Sequence, residues 1–230
     1  MTYDRRYMQW KGWQGEFSYD LRQEECFTAE FKNCSLKGLR ILEIGFGNGA
    51  FLAWARKHGA HVSGTELILE LVEIGRMKGI DVFHGQVDEV EQLTGREFDL
   101  IVAFDVFEHI EIERLKLHLK LLRNLLSERG EIICRFPNGE SPFGRIYQHA
   151  DVTHVSVLSG PIMSQLCQEA GLAVIESRNA YRYRGTGPKG FLRLILYLLR
   201  DVLHFCIDKI YLIGTTSLDP TTVVRIGLPK

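Results

Sequence analysis

The chain has 230 residues, of which 45% are hydrophobic and 25% are charged. These ordinary values exclude a disordered, collagen-like or coiled-coil chain. The formal net charge is −1, which argues against a nucleic-acid partner. The charge is unevenly spread, however, because residues 181–209 contain six basic residues and two acids, a local charge of +4.

The five cysteines form no CxxC pair, and their odd number favours free thiols in a reducing compartment over disulfides or a zinc site. The N-terminus lacks the apolar segment of a signal peptide. Charged residues interrupt the longest apolar stretch, 191–214, which argues against a membrane-spanning helix. We therefore expect a cytoplasmic protein, with peripheral contact at the inner membrane face as an alternative.

Strands and helices alternate along most of the chain, after a polar and aromatic segment (1–38) that we interpret as an N-terminal helical lid. Strands are predicted at 39–44, 60–65, 80–84, 98–104, 131–136, 173–177 and 221–226, and helices at 48–58, 67–78, 110–126 and 160–170. This alternation predicts an α/β fold with a mostly parallel sheet. Ligands of such sheets bind beyond the carboxyl ends of the strands, so the loops after strands one, two, four and five should form the site.

A glycine-rich turn follows the first predicted strand. Residues 43–49 read Glu-Ile-Gly-Phe-Gly-Asn-Gly, and Glu66 ends the second strand. Glycines permit positive φ and close approach of a ligand, and an acid at the next strand end suits ribose hydroxyls. The spacing from Gly45 to Ala50 also fits a dinucleotide fingerprint, so the turn alone leaves nicotinamide and adenosyl cofactors open.

Glu43 distinguishes these cofactors, because a carboxylate inside the first strand repels a pyrophosphate and favours a cationic ligand. S-adenosylmethionine carries an ammonium and a sulfonium. Segments 43–49, 98–110 and 122–134, together with Glu66, resemble the motifs of the class I S-adenosylmethionine-dependent methyltransferases. The turn 85–88 lies where that family contacts adenine, with Gln86 in place of the usual acid.

The resemblance implies a Rossmann-like sheet of seven strands, the last one antiparallel, with helices on both faces and S-adenosyl-L-methionine as cofactor. It makes 39–230 one methyltransferase domain. The cofactor-binding residues that it implies are Glu43, Gly45, Phe46, Gly47, Gly49, Glu66, Leu67, Gln86, Val87, Phe104 and Asp105.

The loop after strand five contains candidates for a catalytic base. His149, Asp151 and His154 lie within six residues of one another, and histidine is the usual base near neutral pH. The structural alternative is a loop held by hydrogen bonds to its own backbone.

A second cluster follows strand four, where His109 is a further catalytic candidate. Asp105, Glu108 and His109 resemble the Glu-x-x-Glu-His of ubiquinone-biosynthesis O-methyltransferases, a motif implicated in holding magnesium. We predict no metal here and a structural role for the acids, because the shorter Asp105 replaces the first glutamate. A metal site of these three residues is the alternative.

Residues 137–154 suggest the class of the methyl acceptor. This segment resembles the corresponding segment of methyltransferases found in bacterial cell-surface polysaccharide and other sugar pathways. This resemblance implies O-methylation of a sugar or other small-molecule hydroxyl. The alternatives are an NAD(P)-dependent oxidoreductase and a cofactor-binding module without catalysis.

The connection between strands six and seven contains an amphipathic helix, within an insertion predicted at 185–215. Apolar residues surround one narrow polar stripe, which comprises Arg193, Tyr197, Arg200, Asp201, His204 and Asp208. We expect helix 191–213 to pack on the domain or on a second subunit, with a membrane surface as the alternative.

Overall fold

The computed structural model describes residues 5–13, 15–211 and 217–229, and a single mixed sheet forms its centre. The strands are β1 (Arg40–Ile44), β2 (His61–Glu66), β3 (Asp81–His84), β4 (Phe98–Phe104), β5 (Leu126–Pro137), β6 (Ala173–Asn179) and β7 (Thr221–Gly227). Their order across the sheet is β3-β2-β1-β4-β5-β7-β6. Strands β1 to β5 pair in parallel, and β7 runs antiparallel to both β5 and β6. The predicted fold class is therefore confirmed.

Helices cover both faces of the sheet. They are α1 (Arg5–Lys11), α2 (Leu21–Glu30), α3 (Ala50–Lys57), α4 (Leu69–Met77), α5 (Ile112–Leu125), α6 (Gly144–Gln148), α7 (Gly160–Glu169) and α8 (Gly187–Tyr211). Alternate residues of β1 point to opposite faces. Leu42 is buried in a core that α5 and α7 complete, whereas Ile41 is buried in one that α2 and α3 complete.

The N-terminal segment is partly integrated into this body. In α2, Phe27 is buried and its ring lies 5.5 Å from those of Phe51 and Trp54 in α3. Helix α1 instead lies over the carboxyl ends of the strands, where Tyr7 and Lys11 face a cavity. Segment 1–38 thus contributes α2 to the core beside α3 and places α1 over the strand ends, and its role as a lid stays a prediction.

Strand β5 begins five residues earlier than predicted. Phe98 pairs with Leu126 and Leu100 with Glu131, so residues 127–130 leave the regular register. Ser127 Oγ donates a hydrogen bond of 2.9 Å to Asp99 Oδ1, which ties this excursion to β4. Residues 127–130 therefore form an irregularity within the strand.

The insertion helix is longer than predicted at its start, since α8 begins at Gly187 and extends to Tyr211. Residues 212 and 213 of the predicted helix, and 214–215 of the predicted insertion, lie outside the described residues. Across the described ranges, no helix has both the length and the apolar character needed to cross a bilayer. The five cysteines are free thiols.

Candidate active site

A cavity of about 340 Å³ opens at the carboxyl ends of the central parallel strands, where the topology predicts a ligand site. Every predicted cofactor residue except Gly49 lines this cavity. Lining residues come from the loops after β1, β2, β3 and β4, from the end of β5, and from α1 and α2. The fold therefore brings the separate sequence motifs around one space.

The glycine loop requires its glycines for conformational and steric reasons. Gly47 and Gly49 have φ of +54° and +72°, which side chains rarely adopt. A Cβ on Gly47 would lie 3.0 Å from the ring of Trp13, and one on Gly49 would lie 2.4 Å from that of Phe17. The N-terminal segment thus packs directly on the loop and encloses it.

Glu66 joins the glycine loop to the end of β2. Its Oε2 accepts a hydrogen bond of 2.8 Å from the Gly47 N–H, and its Oε1 accepts bonds from Leu67 (2.7 Å) and Ile68 (3.0 Å). Burial raises the pKa of this carboxyl, while the three backbone bonds oppose that shift. The carboxylate is held rigidly at the cavity wall, as a group that accepts hydrogen bonds from ribose hydroxyls must be.

Glu43 is a buried carboxyl whose Oε2 has no hydrogen-bond partner among the described residues. It lines the same cavity. Burial, and secondly the negative charge of Glu66, raise its pKa well above the ordinary value. A buried acceptor without a partner is unfavourable, so this oxygen fits a ligand that brings positive charge.

Cofactor binding should therefore be linked to proton release at Glu43. A cationic ligand stabilises the ionised carboxylate, whereas the raised pKa favours the neutral acid in the free protein. Affinity for S-adenosylmethionine should rise with pH until the pH exceeds the raised pKa. Calorimetric titrations in two buffers of different ionisation enthalpy should give different apparent binding enthalpies.

The matched variant for this experiment is Glu43→Gln, which keeps the side-chain size and loses the charge. We expect its affinity for S-adenosylmethionine to be about 10- to 100-fold lower, and its binding enthalpy to be the same in both buffers. Equal enthalpies for the unmodified protein would contradict the assignment of Glu43.

Gln86 and Val87 line the cavity after β3, as predicted. The Gln86 amide oxygen is buried without a hydrogen-bond partner among the described residues, so it can accept from an exocyclic amine such as that of adenine. Asp88 turns away to α5, where its Oδ1 lies 2.9 Å from His118 Nε2. His118 itself also lines the cavity, and the sequence did not single it out.

Asp105 follows β4 in a strained conformation, with φ of +58°. The guanidinium of Arg135 holds its carboxylate through two contacts, one of them a bond of 3.0 Å from Nε to Oδ1. Arg135 also stacks over Phe104, 4.9 Å from the ring centroid. Sequence reasoning missed Arg135 as a cavity residue. Its only signal was a cation inside a strand that is otherwise largely apolar.

His109 lines the cavity and continues into a hydrogen-bonded chain. Its Nδ1 lies 2.9 Å from Thr153 Oγ1, and that hydroxyl donates a bond of 2.6 Å to Asp151 Oδ1. Burial opposes ionisation of Asp151, but bonds from Thr153 and the charge of Lys11 outweigh it and lower the pKa. Because an ionised carboxylate only accepts, the hydroxyl must accept from His109 Nδ1–H. The imidazole lone pair is therefore on Nε2.

The other two predicted histidines have different surroundings. The ring of His154 lies 4.6 Å from that of His109, and its Nδ1 lies 3.1 Å from the Gln148 carbonyl oxygen. His154 is not part of the cavity wall, whereas Asp151 reaches His109 through Thr153. His149 is exposed at the end of α6, so the structure does not bring it to the cavity.

The candidate metal ligands that the structure brings together differ from the three residues considered in the sequence. One ligand atom each from Glu108, His109 and His154 lie within 4.8 Å of one another. Asp105 is paired with Arg135 instead. Burial, and secondly the negative charge of Asp105, raise the pKa of Glu108 well above its ordinary value. Our expectation that no metal is needed stays a prediction.

An ion pair connects α1 to the loop after β5. Lys11 Nζ lies 3.2 Å from Asp151 Oδ2, and the ammonium also lies about 5 Å from the rings of Tyr7 and Trp10. Both Lys11 and Tyr7 line the cavity. Helix α1 is thus held across the site by a contact between segments that are 140 residues apart.

Removal of this ion pair should loosen α1. For Lys11→Met, which keeps much of the apolar stem, we expect proteolysis of the N-terminal segment to accelerate about fivefold, the effect of about 1 kcal/mol. Limited proteolysis followed by mass spectrometry measures this rate. Lys116→Met, which removes an ion pair on α5, is the control, and equal rates for both variants would show that Lys11 does not hold the lid.

Comparison with known proteins places the chain in a family. A family profile described as "Methyltransferase domain" matches residues 19–177, more than half of the chain. The chain belongs to this methyltransferase-domain family. The predicted resemblance to S-adenosylmethionine-dependent methyltransferases is confirmed, and so is the predicted cofactor, S-adenosylmethionine.

Individual relatives are more distant. The chain is 29% identical over 85 residues to a ubiquinone biosynthesis O-methyltransferase of Xylella fastidiosa strain M23. The aligned segment covers 34% of this chain and 35% of the relative. A homologous enzyme of Aromatoleum aromaticum is 28% identical over 85 residues, with 34% and 36% covered. The matched segment therefore spans about a third of these curated relatives.

Solved methyltransferase structures share the fold. Magnesium protoporphyrin IX methyltransferase from Synechocystis PCC 6803, with bound SAH, superposes with a TM-score of 0.63 at 11% identity, covering 97% of this chain and 94% of that one. A SAM-dependent methyltransferase from Archaeoglobus fulgidus gives a TM-score of 0.62 at 17% identity, with 89% and 93% covered. At these identities the likeness shows the fold alone.

Proposed function

We propose that this chain transfers the methyl group of S-adenosylmethionine to a hydroxyl oxygen of a small molecule. The observation that carries the proposal is the chain from Asp151 through Thr153 to His109, which makes Nδ1 the hydrogen-bond donor of an imidazole that lines the cofactor cavity. The matched relatives support an oxygen acceptor, since they are O-methyltransferases by name.

The residues of the cavity have separable roles in this reaction. When bound, S-adenosylmethionine supplies an electrophilic methyl group on a good leaving group, so positioning contributes much of the rate. Glu43 provides negative charge for the cationic cofactor, and Glu66 accepts from hydroxyl groups. His109 Nε2 accepts the proton of the acceptor hydroxyl, and Asp151 stabilises the resulting imidazolium through Thr153. Trp13 and Tyr7 restrict access of water.

A sugar or similar polyhydroxylated molecule is the acceptor class that we propose. Residues 137–154, which resemble sugar-pathway methyltransferases, include Asp151 and Thr153 next to His109. Lys11 and Gln23 add polar groups to a cavity otherwise rich in aromatic rings. Such a mixture suits a ring with hydroxyl substituents.

An acceptor screen with labelled S-adenosylmethionine tests this proposal. Sugar nucleotides, glycans and phenolic compounds should be compared, and transfer to a hydroxyl of one class is the expected result. Labelled product should be recovered as a methyl ether. Transfer only to amines or to carbon atoms would contradict the assignment.

A nicotinamide oxidoreductase is the second candidate, and Glu43 argues against it. Its buried carboxyl lies next to the loop that would have to approach a pyrophosphate, and a pyrophosphate brings no positive charge to stabilise the ionised carboxylate. Glu43→Gln should therefore improve NADH binding if it has any effect, while it weakens S-adenosylmethionine binding.

A further inference from the structure

The polar stripe of α8 faces the protein, not solvent. Arg200 and Arg182 both contact Asp219, at 2.7 and 2.6 Å between guanidinium nitrogen and Oδ1. Asp201 forms a second ion pair with Arg182, at 2.6 Å. The Tyr197 hydroxyl donates a bond of 2.8 Å to a backbone carbonyl of the preceding loop. Tyr197, Arg200 and Asp201 therefore join the helix to residues outside it.

The opposite side of α8 is apolar and open. Six side chains that represent this side are 53% to 72% exposed, and we call them the apolar face of α8: Leu192, Leu196, Leu199, Val202, Phe205 and Ile210. At 3.6 residues per turn they spread over roughly half of the helix circumference. Soluble domains rarely expose so continuous an apolar surface.

The apolar face of α8 could be covered by a second copy of the chain or by a lipid layer, and its width distinguishes the two. A second copy of the chain would pack α8 against its own counterpart along a seam of about two positions in seven. Such a seam leaves the flanks of the apolar face in water. A lipid layer instead takes up the whole width of an apolar helix face at the boundary between headgroups and acyl chains.

Positive charge lies at both ends of the apolar face. Arg184 and Lys189 are exposed near its start, and Lys209 is exposed near its end. The acids of the helix lie on its polar stripe, where Asp201 pairs with Arg182 and Asp208 lies 3.4 Å from His204 Nε2. These cations complement anionic headgroups, and lysine stems can extend along an apolar surface to reach them.

We propose that α8 docks this protein on the surface of an anionic lipid bilayer. The helix lies in the plane of the interface, with its apolar face among the acyl chains and Arg184, Lys189 and Lys209 among the headgroups. It does not cross the bilayer, because its polar stripe is bonded to the domain. Docking of this kind is independent of which molecule accepts the methyl group.

Flotation with lipid vesicles tests the proposal on the full chain. The protein should float with vesicles of phosphatidylcholine mixed with phosphatidylglycerol, and much less with phosphatidylcholine alone. Leu199→Glu combined with Val202→Glu should lower the partition coefficient at least about a hundredfold. Leu117→Glu is the matched control, because Leu117 is 62% exposed on α5, and it should float like the unmodified protein.

The charge contribution is tested by Lys189→Glu combined with Lys209→Glu, which should remove the preference for anionic vesicles. The substituted positions are exposed, and an unchanged melting temperature and unchanged S-adenosylmethionine affinity verify the fold. Equal flotation with both kinds of vesicle would overturn the anionic specificity. A dimer in sedimentation velocity that Leu199→Glu with Val202→Glu dissociates, without flotation of the unmodified protein, would assign the face to a second copy instead.

Discussion

Replacement of Glu66 by alanine is expected to weaken S-adenosylmethionine binding by at least about a hundredfold, equivalent to about 3 kcal/mol. The change removes the proposed acceptor for ribose hydroxyls and also leaves the N–H groups of Gly47, Leu67 and Ile68 without their present partner. The glycine loop then loses its connection to β2. Isothermal titration calorimetry measures the affinity directly.

Two further variants make this result interpretable. Glu113→Ala removes an exposed carboxylate from α5 and should leave the affinity unchanged. Glu66→Gln retains one oxygen acceptor, so it should fold even where alanine does not, and its affinity should lie between those of the other two. An affinity for Glu66→Ala within threefold of the unmodified protein would show that Glu66 does not contact the cofactor.

Substitution of His109 by alanine has the largest expected effect on turnover. Loss of a general base typically lowers the rate about 10²- to 10⁴-fold, and we expect kcat to fall within this range while the Kd for S-adenosylmethionine stays within threefold. His149→Ala is the matched control, because that histidine is exposed outside the cavity. A kcat loss of the same size in both variants would remove His109 from its proposed role.

Thr153→Val separates the base from the residues that position it. Valine has a similar shape but cannot accept the bond from His109 Nδ1–H or donate to Asp151. We expect kcat to fall about tenfold, since the imidazole remains but loses its fixed tautomer. If kcat is unchanged, the hydrogen-bonded chain is structural.

The pH dependence of turnover should reflect the low pKa of His109. Burial, and secondly electrostatic interaction with the neighbouring His154, lower this pKa from 6.5 to about 4. The base is active when neutral, so kcat at saturating S-adenosylmethionine should stay level as pH falls from neutral and should decline only near pH 4. Dialysis against EDTA should leave the rate unchanged. A loss that divalent cations restore would instead make His109 a metal ligand.

The cofactor side of the site could be predicted because its residues are adjacent to strand ends. Gly45, Gly47 and Glu66 are recognisable locally, and parallel topology alone brings strand ends together. Arg135, His118 and Lys11 gave no such signal. Each reaches the cavity through a partner distant in sequence, namely Asp105, Asp88 and Asp151.

The acceptor side was harder because an irregular loop has no periodicity from which to infer direction. His149 and His154 are equivalent in the sequence, yet α6 ends at Gln148 and leaves His149 in solvent. Helix α6 itself was not predicted, since five residues are too few to show a helical pattern. Spacing identified the right segment, but neither of its imidazoles lines the cavity, and the segment reaches the site through Asp151 and Thr153.

The insertion helix shows a different kind of limit. Its amphipathic period was correct, but a polar stripe normally faces water. Here the stripe faces the domain because Arg182 and Asp219, which lie on either side of α8 in the sequence, form ion pairs with it. Hydrophobic periodicity locates the polar and the apolar face of a helix, but it does not tell which face points to solvent.

The most direct test of S-adenosylmethionine as the ligand of this cavity is a calorimetric comparison of S-adenosylmethionine with NADH on the same preparation. We expect one molecule of S-adenosylmethionine to bind per chain, NADH to give no measurable heat, and Glu66→Ala to lose the binding. Binding of NADH without binding of S-adenosylmethionine would contradict the assignment of Glu43 and Glu66, and with it the proposed methyl transfer.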